Sequence, residues 1–208
     1  MKVLVIGAAG KSGRAVVEQA LAAGHDVTAF VHKTEGYLPD SCVRVIEGDA
    51  RDRSAMDSAM LGQDAVIDTI GGKLSFKTTT LEASAAATIV ASMQSSGVRR
   101  LVVISVIGEG ESVANTNWYE RLFLSTLLRN EMKDKAAMEV IVDASGLDWI
   151  IVRLPFLTDD PGTGNIHVFS AESGEIAHKL TRADLAAFMV AQLSSDEYIQ
   201  KAVAIANR

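Results

Sequence analysis

Cysteine is almost absent from this 208-residue chain, where Cys42 stands alone. One thiol cannot close an internal disulfide, and together with four scattered histidines it offers no zinc-ligand spacing, so no metal site is expected. A reducing compartment follows, with Cys42 serving as a small hydrophobe. Basic excess is missing as well. Twenty Lys and Arg face 26 Asp and Glu, a formal net charge of -6, which lacks the electrostatic footprint of a nucleic-acid binder. No stretch approaches the roughly 18 uninterrupted apolar residues of a membrane span. The segment Met1 to Gly10 carries one Lys and a short apolar run broken by Gly7, too brief for a signal h-region. A cytoplasmic protein without nucleic-acid or membrane partners is the expectation. Pro/Ser linkers, charge blocks and repeats at periods of about 20 to 50 residues are also lacking, so residues 1–208 are expected to form one domain, as monomer or homodimer.

What is present suits a packed core: 48% of residues are apolar and 22% charged. Short runs rich in Val and Ile alternate with longer segments of helical period, which is the signature of a parallel sheet covered by helices. Val3 to Ile6, Val27 to Val31, Val43 to Ile46, Ala65 to Ile67, Leu101 to Ile104 and Trp149 to Val152 read as six parallel strands, buried on both faces. Ala202 to Ile205 reads as a closing strand. Helical stripes lie at Val17, Ala20, Leu21 and Gly24, at Ala86, Ile89, Val90 and Met93, and at Met138, Ile141, Val142 and Ser145, the last ending at Gly146. Thr181 is placed to cap a further helix whose stripe is Ala186, Met189, Val190 and Leu193. The pattern predicts an α/β fold, a single-domain Rossmann-type doubly wound parallel sheet with helices on both faces. Two stretches break the rhythm, Gly108 to Asn117 and Thr158 to Ala177. Both follow strands, so loops at about 108–130 and 156–178 are expected on the substrate side.

The chemistry begins at the first strand. Val3-Leu-Val-Ile-Gly7-Ala-Ala-Gly10-Lys-Ser-Gly13 runs from a strand through three glycines into a helix. Backbone can there approach a pyrophosphate while helix N-terminal amides point at it, which makes Gly7, Gly10, Lys11, Ser12 and Gly13 candidate dinucleotide ligands. Gly10-Lys11-Ser12 also looks like the tail of a nucleotide-hydrolase phosphate loop, but Val5 stands where that motif needs its first glycine. About 20 residues beyond the glycines an NAD site carries an acid for the ribose. Val31-His32-Lys33 stands there instead, and a cation favours a 2′-phosphate, so NADPH is expected over NADH. Lys33 is the principal candidate, helped by His32, Lys11 or Arg14, unless it is a solvated loop lysine. After the third strand, Asp49 and Ala50 are candidates for the adenine, with Asp49 able to accept from the adenine amino group or to cap the next helix.

In order along the chain, Gly7-Ala-Ala-Gly-Lys-Ser-Gly13, Gly48-Asp-Ala-Arg-Asp52, Gln63-Asp-Ala-Val-Ile67, Ser145-Gly-Leu-Asp-Trp149 and Thr181-Arg-Ala-Asp-Leu185 resemble the atypical short-chain dehydrogenase/reductases. Within these the chain is similar to the NADPH-dependent flavin reductase/biliverdin-IX-beta reductase group and the NmrA-like NAD(P)-binding proteins. The resemblance runs nearly end to end. It implies Gly71 and Gly72 beside the cofactor, Ser105 near the nicotinamide, Lys135 near its ribose, and Pro155 and Phe156 alongside the nicotinamide ring. Ser105 and Lys135 are then the candidate catalytic residues, although Ser105 could equally satisfy a backbone group at its strand end.

Departures from that pattern matter. A Tyr-x-x-x-Lys pair is missing: Ser41, Phe123 and Ala202 stand four residues after Tyr37, Tyr119 and Tyr198. The flavin-reductase group often has substrate-side histidines, where this chain has Glu139 and Phe156. Without a tailored proton donor, a flavin or quinone is the expected acceptor, because the cofactor and acceptor carry the chemistry while the protein aligns them. Trp118, Tyr119, Leu122, Phe123, Thr126 and Leu127 form a helical stripe that serves either as the acceptor's pocket or as core or subunit contact. The expected function is an NADPH-dependent reductase of a small aromatic or conjugated acceptor. The alternatives are a non-catalytic NmrA-like redox sensor and, third, an NAD(P)-dependent epimerase or dehydratase.

Overall fold

The structure, a computed structural model, describes residues 1–37, 39–71, 80–107, 129–170, 173 and 175–208. In chain order its elements are β1 (Lys2–Ile6), α1 (Lys11–Ala22), β2 (Asp26–Val31), β3 (Arg44–Glu47), α2 (Arg53–Met60), β4 (Ala65–Asp68), α3 (Leu81–Ser96), β5 (Arg100–Val106), α4 (Arg129–Asp143), β6 (Asp148–Leu154), β7 (Phe156–Thr158), β8 (Ile166–Phe169), β9 (Lys179–Thr181), α5 (Arg182–Ala191) and β10 (Lys201–Asn207). The large sheet has the order β3-β2-β1-β4-β5-β6-β10-β8. Every pairing in it is parallel except β10 with β8.

Alternation along the strands explains the two cores. Val3 and Val5 of β1 enter one hydrophobic cluster with α1 and α5, while Leu4 and Ile6 enter the other with α2, α3 and α4. In the same way Ala65 and Ile67 of β4 face the first cluster and Val66 the second. A strand covered on both faces has no solvent side, which is why these segments read as unbroken apolar runs rather than as alternation. The expected stripes do the covering: Val17 and Ala20 of α1, Ile89 and Met93 of α3, Met138 and Val142 of α4, and Met189 of α5 are buried. The doubly wound sheet with helices on both faces is thus present. No described helix is long and apolar enough to cross a membrane.

Structure also appears where the pattern is silent. The stretch 158–177 holds β8 on the edge beyond β10, and just after it comes β9, which pairs with β7 in a small second sheet. These strands are three or four residues long, too short to display a period. Helix α2 was open to capping by Asp49, but Asp52 caps it, accepting from Ser54 N and Ala55 N. Cys42 is exposed in a turn, with its N–H donated to Asp40, and is no part of the core.

Asp184, 3% exposed in the first turn of α5, ties this edge together. Its carboxylate accepts from Thr163 N (2.8 Å), Gly164 N (2.9 Å), the hydroxyls of Thr163 and Thr181 (both 2.9 Å) and the Asn207 amide (2.7 Å). Burial alone would raise this carboxyl, but the donors outweigh it and hold the group well below the usual carboxylate range. Asp184→Ala leaves those donors without their acceptor and is expected to cost on the order of 3 kcal/mol of stability. The folded value lies below the unfolded value of about 3.9, so the contribution is complete above about pH 5 and is lost as pH falls. Denaturant melts of Asp184→Asn should lack this part of the acid sensitivity. Parent and variant losing stability in parallel below pH 5 would contradict it.

Candidate functional site

Strand order reverses at β1, which has β2 on one side and β4 on the other. In open α/β sheets the ligand crevice lies beyond the carboxyl ends of strands at such a point. A cleft of 570 Å³ opens there, lined by the turns after β1, β2, β3 and β4 and by Leu81 of α3.

The three glycines behind it do different work. Gly7 has φ +77°, and a Cβ on it would sit 3.0 Å from Thr69 backbone. A Cβ on Gly13 would lie 2.3 Å from the Gly7 carbonyl oxygen and 2.7 Å from Ala8 Cα, so no side chain fits while the strand turns this sharply into α1. Gly10 is different. It is exposed, lines the cleft, and a Cβ there would meet only the Gly7 oxygen, at 3.3 Å. Gly7 and Gly13 therefore close the turn, and Gly10 keeps its outer face bare.

Gly10 is also the N-cap of α1, and no side chain caps that helix. Its first-turn amides have no intrahelical acceptors and face the glycine turn, an arrangement suited to an anion. The side chains nearby are occupied. Lys11 pairs with Asp159 at 2.6 Å across an exposed surface. Arg14 donates to the carbonyls of Ala9 (3.0 Å) and Gly36 (2.8 Å) and lies over the Tyr37 ring, bracing the loop after β2. Ser12 is half-buried in the first turn.

At the next part of the cleft stand His32, Gly48, Asp49, Ala50 and Arg51. Gly48 is bare because a Cβ would lie 2.7 Å from the Phe30 ring, which forms the floor. Arg51 forks onto Asp49 at 2.6 and 2.9 Å, holding that carboxyl well below its usual range. Lys33 is exposed and lies outside the lining residues. Its neighbour Thr34 donates through N and Oγ1 to Glu47, which fixes this loop to β3. Arg51 is a cleft residue that the sequence reading passed over, although it stands inside the quoted Gly48 to Asp52 motif.

At the far end, Thr69 closes β4 against β1 through Oγ1 to the Ile6 carbonyl (2.7 Å), and Ile70 and Gly71 line the cleft. Gly72, the loop from Gly108 and the Trp118 to Leu127 stripe lie outside the described residues. Ser105 is 3% exposed on β5, and its hydroxyl has no hydrogen-bond partner among the described residues. Lys135 of α4 is buried and donates to Glu82 of α3 at 2.5 Å, while the neighbouring Asp134 accepts from the N–H groups of Glu82 and Ala83, both at 3.0 Å. Asp134 thus caps α3 from another helix. Asp68, at the end of β4, is pushed up to about 7 by burial. Glu139 forms a forked pair with Arg153 at 2.7 and 3.1 Å. Pro155 is half-buried, and Phe156 is 56% exposed at the start of β7.

The glycine geometry separates binding from folding. Gly10→Ala should leave the thermal transition nearly unchanged and weaken dinucleotide binding about tenfold or more, because the added methyl stands over the cleft. Gly13→Ala should lower the transition temperature itself. Fluorescence titration with both reduced cofactors checks this, and unchanged affinity in folded Gly10→Ala would move the site elsewhere.

Known proteins share the fold and the family. The uncharacterized sugar epimerase YhfK of Bacillus subtilis is 28% identical over 203 residues, covering 93% of this chain and 88% of its own. Among solved structures, the anaerobilin reductase ChuY of Escherichia coli O157:H7 superposes with a TM-score of 0.79 at 23% identity, over 100% of this chain and 97% of its own. A short-chain dehydrogenase/reductase of Veillonella parvula in complex with NADP gives 0.82 at 17% identity, over 99% and 94%. These superpositions establish a shared Rossmann-type fold. Residues 7–196 match the NAD(P)H-binding family, running from the first glycine of the turn nearly to β10, and the chain belongs to that family.

Proposed function

We propose that the protein is an NADPH-dependent reductase of a small aromatic or conjugated acceptor. The bare outer face of Gly10 and the uncapped start of α1 fit the pyrophosphate. In this reading the cleft residues Asp49 and Ala50 take the adenine end and Gly71 the middle of the dinucleotide, and the buried Lys135 and Ser105 are assigned to its nicotinamide end. The bound reduced nicotinamide supplies hydride. This chain's part is to hold the acceptor over the crevice and to keep water from it.

The observation that carries a catalytic reading is the Ser105 hydroxyl. A buried hydroxyl without a partner costs free energy, so it is retained where a ligand completes it. It sits at the carboxyl end of β5, the place to donate to an acceptor carbonyl or to the nicotinamide carboxamide. An unassisted serine is too weak an acid to titrate near neutrality, so its role is to orient. The exposed ring of Phe156 suits stacking on a planar acceptor. For the cofactor, the exposed Lys33 beside the cleft residue His32, where an NAD site would carry an acid, supports NADPH over NADH, while Arg51 is tied to Asp49 at the same end. One observation favours the redox-sensor alternative: Lys135 is engaged with Glu82.

Turnover of NADPH with a panel of flavins and quinones separates the two readings, since a sensor binds the dinucleotide and reduces nothing. Ser105→Ala is expected to lower turnover about 3- to 30-fold, the loss of one neutral hydrogen bond, with little change in NADPH affinity. Complete loss in a folded variant would assign Ser105 an acid–base role instead. Removing the cations at Lys33 and Arg51 should reduce the NADPH-to-NADH affinity ratio by roughly 5-fold or more. Equal affinities in the parent would remove the 2′-phosphate assignment.

A further inference from the structure

The polar layer over the second core contains one acid that neither the fold nor the site above uses. Helices α3 and α4 each follow a parallel strand and precede the next, so both begin at the carboxyl edge of the sheet. The first turn of α3 is docked on the second turn of α4 by Asp134 accepting from the start of α3 and by Lys135 pairing with Glu82. Leu81, the residue before Glu82, lines the cleft. One turn nearer the crevice on α4 stands Glu131, four residues before Lys135 and so on the same helical face. Its Oε2 is buried and has no hydrogen-bond partner among the described residues. Below it, strand alternation puts Asp68 on the side of Val66, and Ser105 on the side of Leu101 and Val103, toward the same core. Two orphaned groups, the Ser105 hydroxyl and the Glu131 carboxyl, therefore stand on one side of the sheet at its carboxyl edge.

Resting on the reductase reading, we propose that Glu131 is the general acid that protonates the acceptor, which is then a conjugated carbonyl or quinone rather than a flavin. The acceptor gains two electrons and one hydrogen as hydride at its electrophilic atom. The O–H bond of Glu131 breaks as an O–H bond forms on the acceptor's oxygen, and the carboxylate regains its proton from solvent. Ser105 orients that oxygen. Lys135 and Glu82 neutralise one another, so a second acid beside them is not held ionised by a free cation. Burial raises the Glu131 carboxyl, Lys135 lowers it, and Glu82 and Asp134 raise it further. Among the described residues, the charged groups facing it are Lys135 and Asp134 of α4 and Glu82 of α3, with Asp68 of β4 next beyond them. This is an acid raised above its ordinary value, on the first turn of a helix that begins at the carboxyl edge of the sheet.

The test compares the parent with Glu131→Gln and Glu131→Asp, using menadione as the quinone and FMN as the flavin. Hydride reaches flavin N5 without an obligatory protein proton, so FMN controls for everything except acid catalysis. Glu131→Gln should cut menadione turnover by about 10²- to 10⁴-fold, leave FMN turnover and NADPH affinity within a few-fold, and lose the parent's fall in rate as pH rises through the acid's titration. Glu131→Asp should restore part of the rate, and it also serves where the Gln variant fails to fold. Independently of turnover, infrared titration should show a neutral carboxylic-acid band above the ordinary carboxylate range that vanishes in Glu131→Gln and shifts when NADPH is added. Equal menadione turnover and an unchanged pH profile in folded Glu131→Gln would overturn the acid while leaving the reductase reading intact. A parent that reduces neither acceptor would overturn the reductase reading itself.

Discussion

The close approach of the Gly7 carbonyl to Gly13 is the constraint on which the site depends. With 2.3 Å available to a Cβ, only glycine at position 13 lets α1 start directly against the end of β1. Because the helix starts there, its unpaired amides open onto the crevice instead of being spent on a capping side chain. Because β1 is the strand at which the order reverses, the same turn sits where β2 and β4 diverge. Thr69 then seals the other wall by bonding to Ile6. Binding geometry and sheet topology are consequences of the same missing side chains.

Charge is distributed unevenly along the crevice. At the glycine end the cationic side chains are tied elsewhere, Lys11 to Asp159 and Arg14 to backbone carbonyls and Tyr37. An anion there is met by backbone amides, which are fixed and cost no side-chain ordering when it binds. At the other end the polar groups are buried side chains. A buried ion pair such as Lys135 with Glu82 costs desolvation that its attraction only partly offsets, so stability alone is a weak reason to keep it. Its geometric consequence is definite: it fixes the first turn of α3 against the second turn of α4, one turn from Glu131.

Much of this was legible in the chain, and the parts that were not share a cause. Strands buried on both faces announce themselves through Val and Ile, and the glycine turn through spacing, because those signals are local. Asp52 rather than Asp49 capping α2 turns on a choice between two acids three residues apart, which local sequence leaves open. Asp134 capping α3 from another helix has no local signal at all. Strands β8 and β9 were hidden by their length. Arg51 was in view inside its motif but was weighed only through its neighbours. Glu131 has no tyrosine to announce it: four residues before Lys135, where a Tyr-x-x-x-Lys pair would carry a phenol, the chain carries a carboxyl group.

That substitution of carboxyl for phenol has a physical logic. A phenol has an ordinary pKa near 10 and must be brought down toward neutrality, which a free lysine ammonium nearby achieves. A carboxylic acid starts near 4 and must be brought up, which burial and neighbouring carboxylates achieve and a free ammonium would oppose. The surroundings of Glu131 are of the second kind: its Oε2 is buried, Asp134 and Glu82 are close, and Lys135 is already paired. An unpaired lysine would suit a tyrosine at that position and would keep a glutamate ionised. The Lys135–Glu82 pair, read alone, favours a silent site; read together with Glu131, it belongs to a setting in which burial and the neighbouring carboxylates outweigh the pull of Lys135 and raise the carboxyl.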